Sequence, residues 1–108
     1  MIMRITWGKV RSGTWADYEL AYKSNVLASK ATIKGLRARW LVQDLDQSDQ
    51  GFVMSLWDSL EDVGAYEQSG FFQDVIQTAL RPFFVGEFRT THCDVRFAED
   101  MVVDSSAS

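Results

Sequence analysis

A chain of 108 residues, 46% hydrophobic and 13% aromatic, is long enough to bury one core and has the composition of a single folded domain. The 15 acidic and 11 basic residues give a formal net charge of −4, which argues against nucleic acid as a partner because such binding needs a basic patch. No apolar run approaches the roughly 18–20 residues that span a bilayer, and the first residues lack the pattern of a signal peptide. We therefore expect a cytoplasmic protein without a membrane partner, and the lone Cys93 allows no internal disulfide.

The first predicted strand runs from Ile2 to Val10 and alternates its side chains between two faces. Ile5 and Trp7 share one face, and Arg4 and Thr6 share the other. The strand ends at the turn RSG, where a glycine readily takes positive φ.

A first amphipathic helix follows this turn. Thr14 and Asp17 have the spacing of a capping box, which predicts a helix start. Side chains at spacings of three and four predict that the helix continues to about Ile33, and Gly35 stands at its C-terminal end. The residues that define this helical face are Trp15, Tyr18, Tyr22, Val26 and Ser29.

Two further strands, residues 36–46 and 51–57, are predicted to form a hairpin around the turn QSDQG. The acidic segment DLDQSDQG invites a calcium interpretation, but its spacing does not fit. An EF-hand loop beginning at Asp44 would need glycine where Asp49 stands and glutamate where Ser55 stands. A solvated hairpin loop is the better interpretation.

The second helix is predicted to begin after Ser59, with Asp62 completing a cap, and to end near Leu80 because Pro82 cannot continue a helix. A last strand is predicted from about Glu87 to Phe97.

The element order β-α-β-β-α-β predicts an α+β fold of the ferredoxin-like type with an antiparallel sheet. We expect one domain over residues 1–98 and a flexible C-terminal tail over residues 99–108. Two helices cover only one face of such a sheet, yet Ile5 and Trp7 make the other face apolar. An exposed apolar sheet face favours a partner, and we expect a homodimer through it.

Three segments, VRSGTWADYELAY, GLRARWLVQD and above all SLWDSLEDVGAYEQS, resemble the antibiotic biosynthesis monooxygenase family of dimeric α/β barrels. The resemblance implies that the sheets of two subunits pair into a barrel, with a pocket between the sheet and the helices of each subunit. It implies as the leading function a cofactor-independent monooxygenase acting on a small aromatic or polyphenolic molecule. The alternative is a non-catalytic module that binds a small molecule or forms oligomers on the same scaffold.

The haem-degrading branch of that family uses an asparagine, a tryptophan and a histidine at positions that match Thr6, Tyr66 and Ile76 here. Isoleucine cannot bind iron, so the comparison argues against haem degradation. We expect no cofactor and no metal, since a single histidine without a second ligand does not make a metal site.

The resemblance implies catalytic roles for Arg4, Tyr66 and His92, and substrate-binding roles for Trp57, Phe71 and Thr6. Each residue also has a structural interpretation. His92 fits a hydrogen-bonded surface histidine, Arg4 an ion-paired arginine, and Trp57 ordinary core packing. The chemistry of a cofactor-free oxygenase needs aromatic walls, a hydrogen-bond partner or base, and a donor near the developing anion.

Overall fold

The protein, in a computed structural model that describes residues 1–26 and 33–99, is built on a four-stranded antiparallel sheet in the order β2-β3-β1-β4. The elements in chain order are β1 (Ile2–Lys9), α1 (Trp15–Val26), β2 (Leu36–Gln43), β3 (Gln50–Trp57), α2 (Leu60–Glu67), a π-helical segment (Phe71–Ile76), α3 (Gln77–Leu80), a 3-10 turn (Arg81–Phe83) and β4 (Arg89–Asp94).

The predicted ferredoxin-like α+β fold is confirmed. The sheet order places the two outer strands, β2 and β4, on either side of the β3-β1 pair, as the split β-α-β arrangement requires. Within one chain the sheet is open and does not close into a barrel. None of the helices in the described ranges is long and apolar enough to cross a membrane.

The core lies between the inner face of the sheet and the helices. It is formed by buried side chains of α1, the π-helical segment and α3, closed at one end by Val10. The buried members of this cluster are Val10, Tyr18, Tyr22, Val26, Phe72, Ile76 and Leu80. The predicted faces of β1 agree with this arrangement, because Arg4 is buried on the helix side and Trp7 lies on the outer face beside Arg89.

The first helix begins as predicted, although the Thr14 hydroxyl donates back to the Arg11 carbonyl at 2.6 Å. Its predicted continuation through residues 27–32 lies outside the described residues, as does the predicted tail beyond residue 99. Gly35 has φ of +83°, a left-handed conformation that glycine adopts without strain.

The prediction of one continuous helix from Ser59 to Leu80 is wrong. Ser59 does cap α2, accepting a hydrogen bond from the Asp62 backbone N–H at 3.1 Å, but α2 ends at Glu67. The cause of the interruption is Ser69, whose hydroxyl donates to the Tyr66 carbonyl and accepts from the Phe72 N–H. These bonds replace helical ones, and the chain resumes as a π-helical segment before α3.

The last strand is shorter than predicted. It covers Arg89–Asp94 rather than residues 87–97, and pairs with β1 alone. Gly86, with φ of +71°, lies in the connection before it.

We expect Gly51→Ala to lower the free energy of unfolding by about 1–3 kcal/mol, because an added Cβ on β3 would collide with the Val42 carbonyl oxygen and the Trp15 ring. The matched control is Gly64→Ala in α2, where an added Cβ meets open space and should raise the stability by about 0.5–1 kcal/mol. Urea unfolding followed by circular dichroism measures both. Equal midpoints for the two variants would contradict the packing described for Gly51.

Candidate functional site

A cavity of about 80 Å³ lies between the inner face of the sheet and the helices. Its walls are mainly aromatic: Trp57 ends β3, Tyr22 comes from α1, Tyr66 from α2 and Phe72 from the π-helical segment. Tyr66 lies between its neighbours, with its ring centroid 5.0 Å from that of Trp57 and 5.1 Å from that of Phe72. The site therefore offers flat apolar surfaces on several sides.

A row of polar side chains crosses the sheet beneath these rings. The pairing registers place Arg39 of β2 opposite Ser55 of β3, Ser55 opposite Arg4 of β1, and Arg4 opposite His92 of β4. Directly opposed residues on one sheet face are neighbours, so the row places the two arginines of the cavity wall on either side of Ser55 and ends at His92 on the edge strand. Positive charge is thus concentrated at the base of an aromatic cavity.

Arg4 is the buried charge of this row, with 8% of its surface exposed. Its Nε donates to a Glu67 carboxylate oxygen at 2.8 Å, and its Nη1 donates to the Thr6 hydroxyl at 3.2 Å. The guanidinium also lies over the ring of Phe72, 5.0 Å from the centroid. A buried guanidinium needs partners of this kind, and they fix its orientation in the cavity wall.

Glu67 connects Arg4 to His92. Its two carboxylate oxygens lie 3.2 Å and 3.1 Å from His92 Nε2, and because an ionised carboxylate only accepts hydrogen bonds, Nε2 is the donor. Partial burial alone would raise the pKa of the Glu67 carboxyl. The hydrogen bonds and charges of Arg4 and His92 outweigh burial and hold this pKa below its ordinary value.

Tyr66 and Trp57 differ in their polar contacts. The Trp57 Nε1–H donates to the Ser55 hydroxyl at 2.7 Å, and the side chain is almost fully buried, so this indole is held rigidly. Burial raises the pKa of the Tyr66 hydroxyl, and the charges of Arg4 and Arg39 offset this only in part. Tyr66 is therefore a neutral phenol at neutral pH and can donate a hydrogen bond to an oxygen in the cavity.

Four of the six residues singled out from the sequence line this cavity: Arg4, Thr6, Trp57 and Tyr66. His92 does not; it is exposed outside the cavity and reaches Arg4 only through Glu67. Phe71 does not either, because it lines a separate recess beside α2 with Ala65 and Ser69.

Phe72 takes the wall position expected of Phe71. Both residues open the π-helical segment, and Phe72 is the buried one of the two. Ile76 of the same segment also lines the cavity. An apolar side chain therefore occupies the position that matches the histidine of the haem-degrading branch.

Two functional candidates were missed from the sequence. Glu67 was not singled out, and its partner Arg4 is 63 positions away in the chain. Arg39 was not singled out either, yet it lines the cavity, and its Nη1 is buried without a hydrogen-bond partner in residues 1–26 and 33–99.

Among the described residues, no group of three or more His, Cys, Asp or Glu side chains is arranged so that it could hold a metal ion. What the cavity does provide is hydrogen-bond donors and positive charge among aromatic rings. Such a site stabilises a flat molecule on which negative charge develops.

The model of the antibiotic biosynthesis monooxygenase family matches residues 1–78. The chain belongs to this family. No curated protein matches the chain significantly.

Solved structures with this fold include candidate antibiotic biosynthesis monooxygenases from three bacteria. The protein from Nitrosomonas europaea is 11% identical, with a TM-score of 0.76 over 90% of this chain and 100% of its own. That from Bordetella bronchiseptica is 16% identical, with a TM-score of 0.77 over 89% and 97%. That from Caulobacter crescentus is 18% identical, with a TM-score of 0.75 over 87% and 88%. At these identities the likeness shows the fold alone.

We expect Glu67→Gln to lower the stability at neutral pH by about 1–3 kcal/mol, because the hydrogen bonds of a charged carboxylate are lost. The folded-state pKa of Glu67 lies below the ordinary 4.5, so its contribution is fully present above pH 4.5 and is lost as the pH falls through the lower folded-state value. The stability difference between wild type and variant should therefore be constant near neutrality and shrink in acid.

Urea unfolding at a series of pH values measures this difference. Glu61→Gln, which removes an exposed carboxylate from the same helix, controls for net charge. An undiminished difference well below pH 4.5 would show that the carboxylate charge has no part in holding Arg4 and His92.

Proposed function

We propose that this protein is a monooxygenase that uses no cofactor and acts on a small, electron-rich aromatic molecule of the quinol class bound in the cavity. The observation that carries the proposal is the combination of aromatic walls with a buried arginine and a neutral tyrosine at one cavity. Family membership supports oxygenation as the reaction class. The choice of substrate class rests on the residues of the cavity.

The cavity size favours a single ring. An engineered cavity of about 150 Å³ admits benzene. The space here is about 80 Å³, so even one ring requires side chains at the rim to move. The exposed Arg81 and the half-buried Gln77 lie at that rim, on short helical segments at the surface. A single-ring quinol fits this space better than a fused three-ring anthrone.

In the proposed reaction the protein stabilises an anion and the substrate supplies all the electrons. A quinol loses a proton to solvent at the open side of the cavity, and the charge is shared between its oxygen and a ring carbon. That carbon forms a bond to one atom of O₂, and the resulting peroxide anion takes up a proton from solvent to give a hydroperoxide. The O–O bond then breaks with loss of water, leaving one oxygen atom on the ring, so that quinol and O₂ give a hydroxyquinone and H₂O.

Each residue has a defined part in this scheme. Arg4 and Tyr66 stabilise the anion by positive charge and a hydrogen bond. Trp57 and Phe72 supply apolar walls for the ring on either side of Tyr66, and Thr6 holds the Arg4 guanidinium through the 3.2 Å hydrogen bond. His92 is a positioning residue in this proposal, because it acts on Arg4 through Glu67 and does not touch the cavity.

We expect Tyr66→Phe to reduce kcat for oxygen uptake by about 10²-fold, the usual effect of removing one donor from a developing anion. The phenyl ring keeps its contacts with Trp57 and Phe72, so the binding of a quinol should change little. Oxygen-electrode assays with single-ring quinols and anthrones, in the presence of a chelator, measure the uptake. Thr78→Val, which deletes an exposed hydroxyl of α3, is the control and should match wild type.

His92 is tested in the same assay by rescue. His92→Ala should lower kcat more than His92→Gln, because a glutamine amide can still donate to Glu67. Equal losses in both variants, or wild-type uptake by Tyr66→Phe, would contradict the assigned roles.

A second candidate function, a non-catalytic binding module, is favoured by one observation. His92, the side chain best suited to proton transfer near neutral pH, is exposed outside the cavity. Saturable binding of quinols with no uptake above the buffer blank would support this second function over the first.

We infer in addition that two copies of the chain pair through the outer face of the sheet. Trp40, Val42 and Phe52 are 43%, 38% and 37% exposed there. Cross-strand pairing places Val42 beside Phe52, and Phe52 beside Trp7, so these side chains form one continuous patch. Exposed apolar patches of this kind mark association surfaces.

Trp40→Glu is expected to convert a dimer into a monomer at micromolar concentration, because it places a charge within the apolar patch. Sedimentation velocity measures the change. Leu45→Glu is the matched control, since Leu45 is fully exposed in the hairpin loop and lies outside the patch. A wild-type chain that sediments as a monomer would overturn the inferred dimer.

A further inference from the structure

We propose that the cavity is selective for aromatic carboxylates and that Arg39 of β2 binds the carboxylate group. The proposal deepens the proposed function and rests on it for the place of the ring in the cavity. It adds a specificity residue and a charged group on the ligand.

The first observation is the state of the Arg39 guanidinium. Its Nη1 is fully buried and forms no hydrogen bond with any residue in the described ranges. Burying a charged donor without a partner is costly, because the group gives up its hydration. An acceptor on a ligand would remove that cost. Arg39 lines the cavity, so a ligand there is within its reach.

The second observation is the charge of the cavity wall. Three arginines line it, Arg4, Arg39 and Arg81, and none of its lining residues in the described part of the chain is acidic. Arg4 is compensated by Glu67, and Arg81 is exposed to solvent. Arg39, which is half-buried, therefore gives the cavity wall a positive charge that no acidic lining residue in the described ranges compensates.

Arg37 shows what an arginine of the same strand does when it has a structural role. It forms two hydrogen bonds with the Asp58 carboxylate, at 2.6 Å and 2.9 Å, on the exposed surface. This is the paired geometry in which guanidinium and carboxylate groups fit each other best. Arg39 has the same guanidinium group but lines the cavity, and none of the described residues that line the cavity carries a carboxylate.

Two tyrosines complete a site for a carboxylate. Tyr22 and Tyr66 both line the cavity, and the Arg39 charge acts on both hydroxyls. Burial raises the pKa of each tyrosine more than Arg39 lowers it, so both remain neutral hydrogen-bond donors. A carboxylate accepts several hydrogen bonds at once, so a guanidinium and two phenols suit it better than they suit a neutral amide.

The rings of Trp57 and Phe72 specify the rest of the ligand as flat and apolar. Together with the limited volume, they favour one aromatic ring that carries the carboxylate directly. A quinol with a carboxylate on its ring combines this requirement with the proposed reaction.

The test is isothermal titration calorimetry at neutral pH with 4-hydroxybenzoate and its neutral counterpart 4-hydroxybenzamide. These two probes share the ring and the hydroxyl and differ in the charged group. For the wild-type protein we expect the acid to bind at least about tenfold more tightly than the amide. Arg39→Gln should abolish this preference by weakening the acid alone, and Arg39→Lys should restore part of it.

Arg37→Gln is the matched control, since it removes the same charge from the same strand outside the cavity and should keep the full preference. Circular dichroism of each variant confirms that the fold is retained. Equal binding of acid and amide by the wild type, failure of both to bind, or a preference that survives in Arg39→Gln would overturn the proposal.

The binding test is independent of turnover. A preference for the acid that depends on Arg39, without oxygen uptake from any quinol, would leave this proposal standing and remove the proposed reaction. Oxygen uptake from neutral quinols without a preference for the acid would overturn the carboxylate site and leave the proposed reaction standing.

Discussion

The ion pair between Arg4 and Glu67 is the interaction on which the site depends. The charge of a guanidinium buried between a sheet and helices must be compensated. Glu67, the last residue of α2, supplies the opposite charge. The same carboxylate contacts His92 on β4, and the same guanidinium lies over the Phe72 ring. One buried charge therefore links β1, α2, β4 and the π-helical segment around the cavity.

The interruption of the second helix determines the shape of that cavity. Ser69 ends the helical hydrogen bonding after α2, and the wider π-helical turn carries Phe72 and Ile76 into the space above the sheet. Turns of this type cost stability in a regular helix and are frequent at functional sites. Phe72, which contacts Arg4, and Ile76 reach the cavity from this segment, whereas the remaining aromatic walls come from β3, α1 and α2.

The sequence predicted the fold well because the fold depends on local patterns. Strand alternation separated Arg4 from Ile5 and Trp7, the family resemblance implied that the Arg4 face is the helix side, and the Ser59 cap fixed the start of α2. Four of the six side chains singled out from the sequence line the candidate cavity. The remainder depends on contacts that local patterns do not reveal: Glu67 meets Arg4 across 63 positions, and Phe72 of the π-helical turn lines the cavity in place of Phe71. An apolar periodicity of three and four residues does not distinguish an α-helix from one that contains such a turn.

The most direct test of the central claim, that the cavity supports oxygenation by the substrate's own electrons, is a turnover with ¹⁸O₂ in ordinary water under chelation. Mass spectrometry of the product is the readout. The mechanism predicts one ¹⁸O atom in the hydroxyquinone formed from a single-ring quinol, with the second atom released as water. A quinone product without ¹⁸O, formed by simple oxidation, would contradict the claim. The absence of any reaction across the quinol series would contradict it as well.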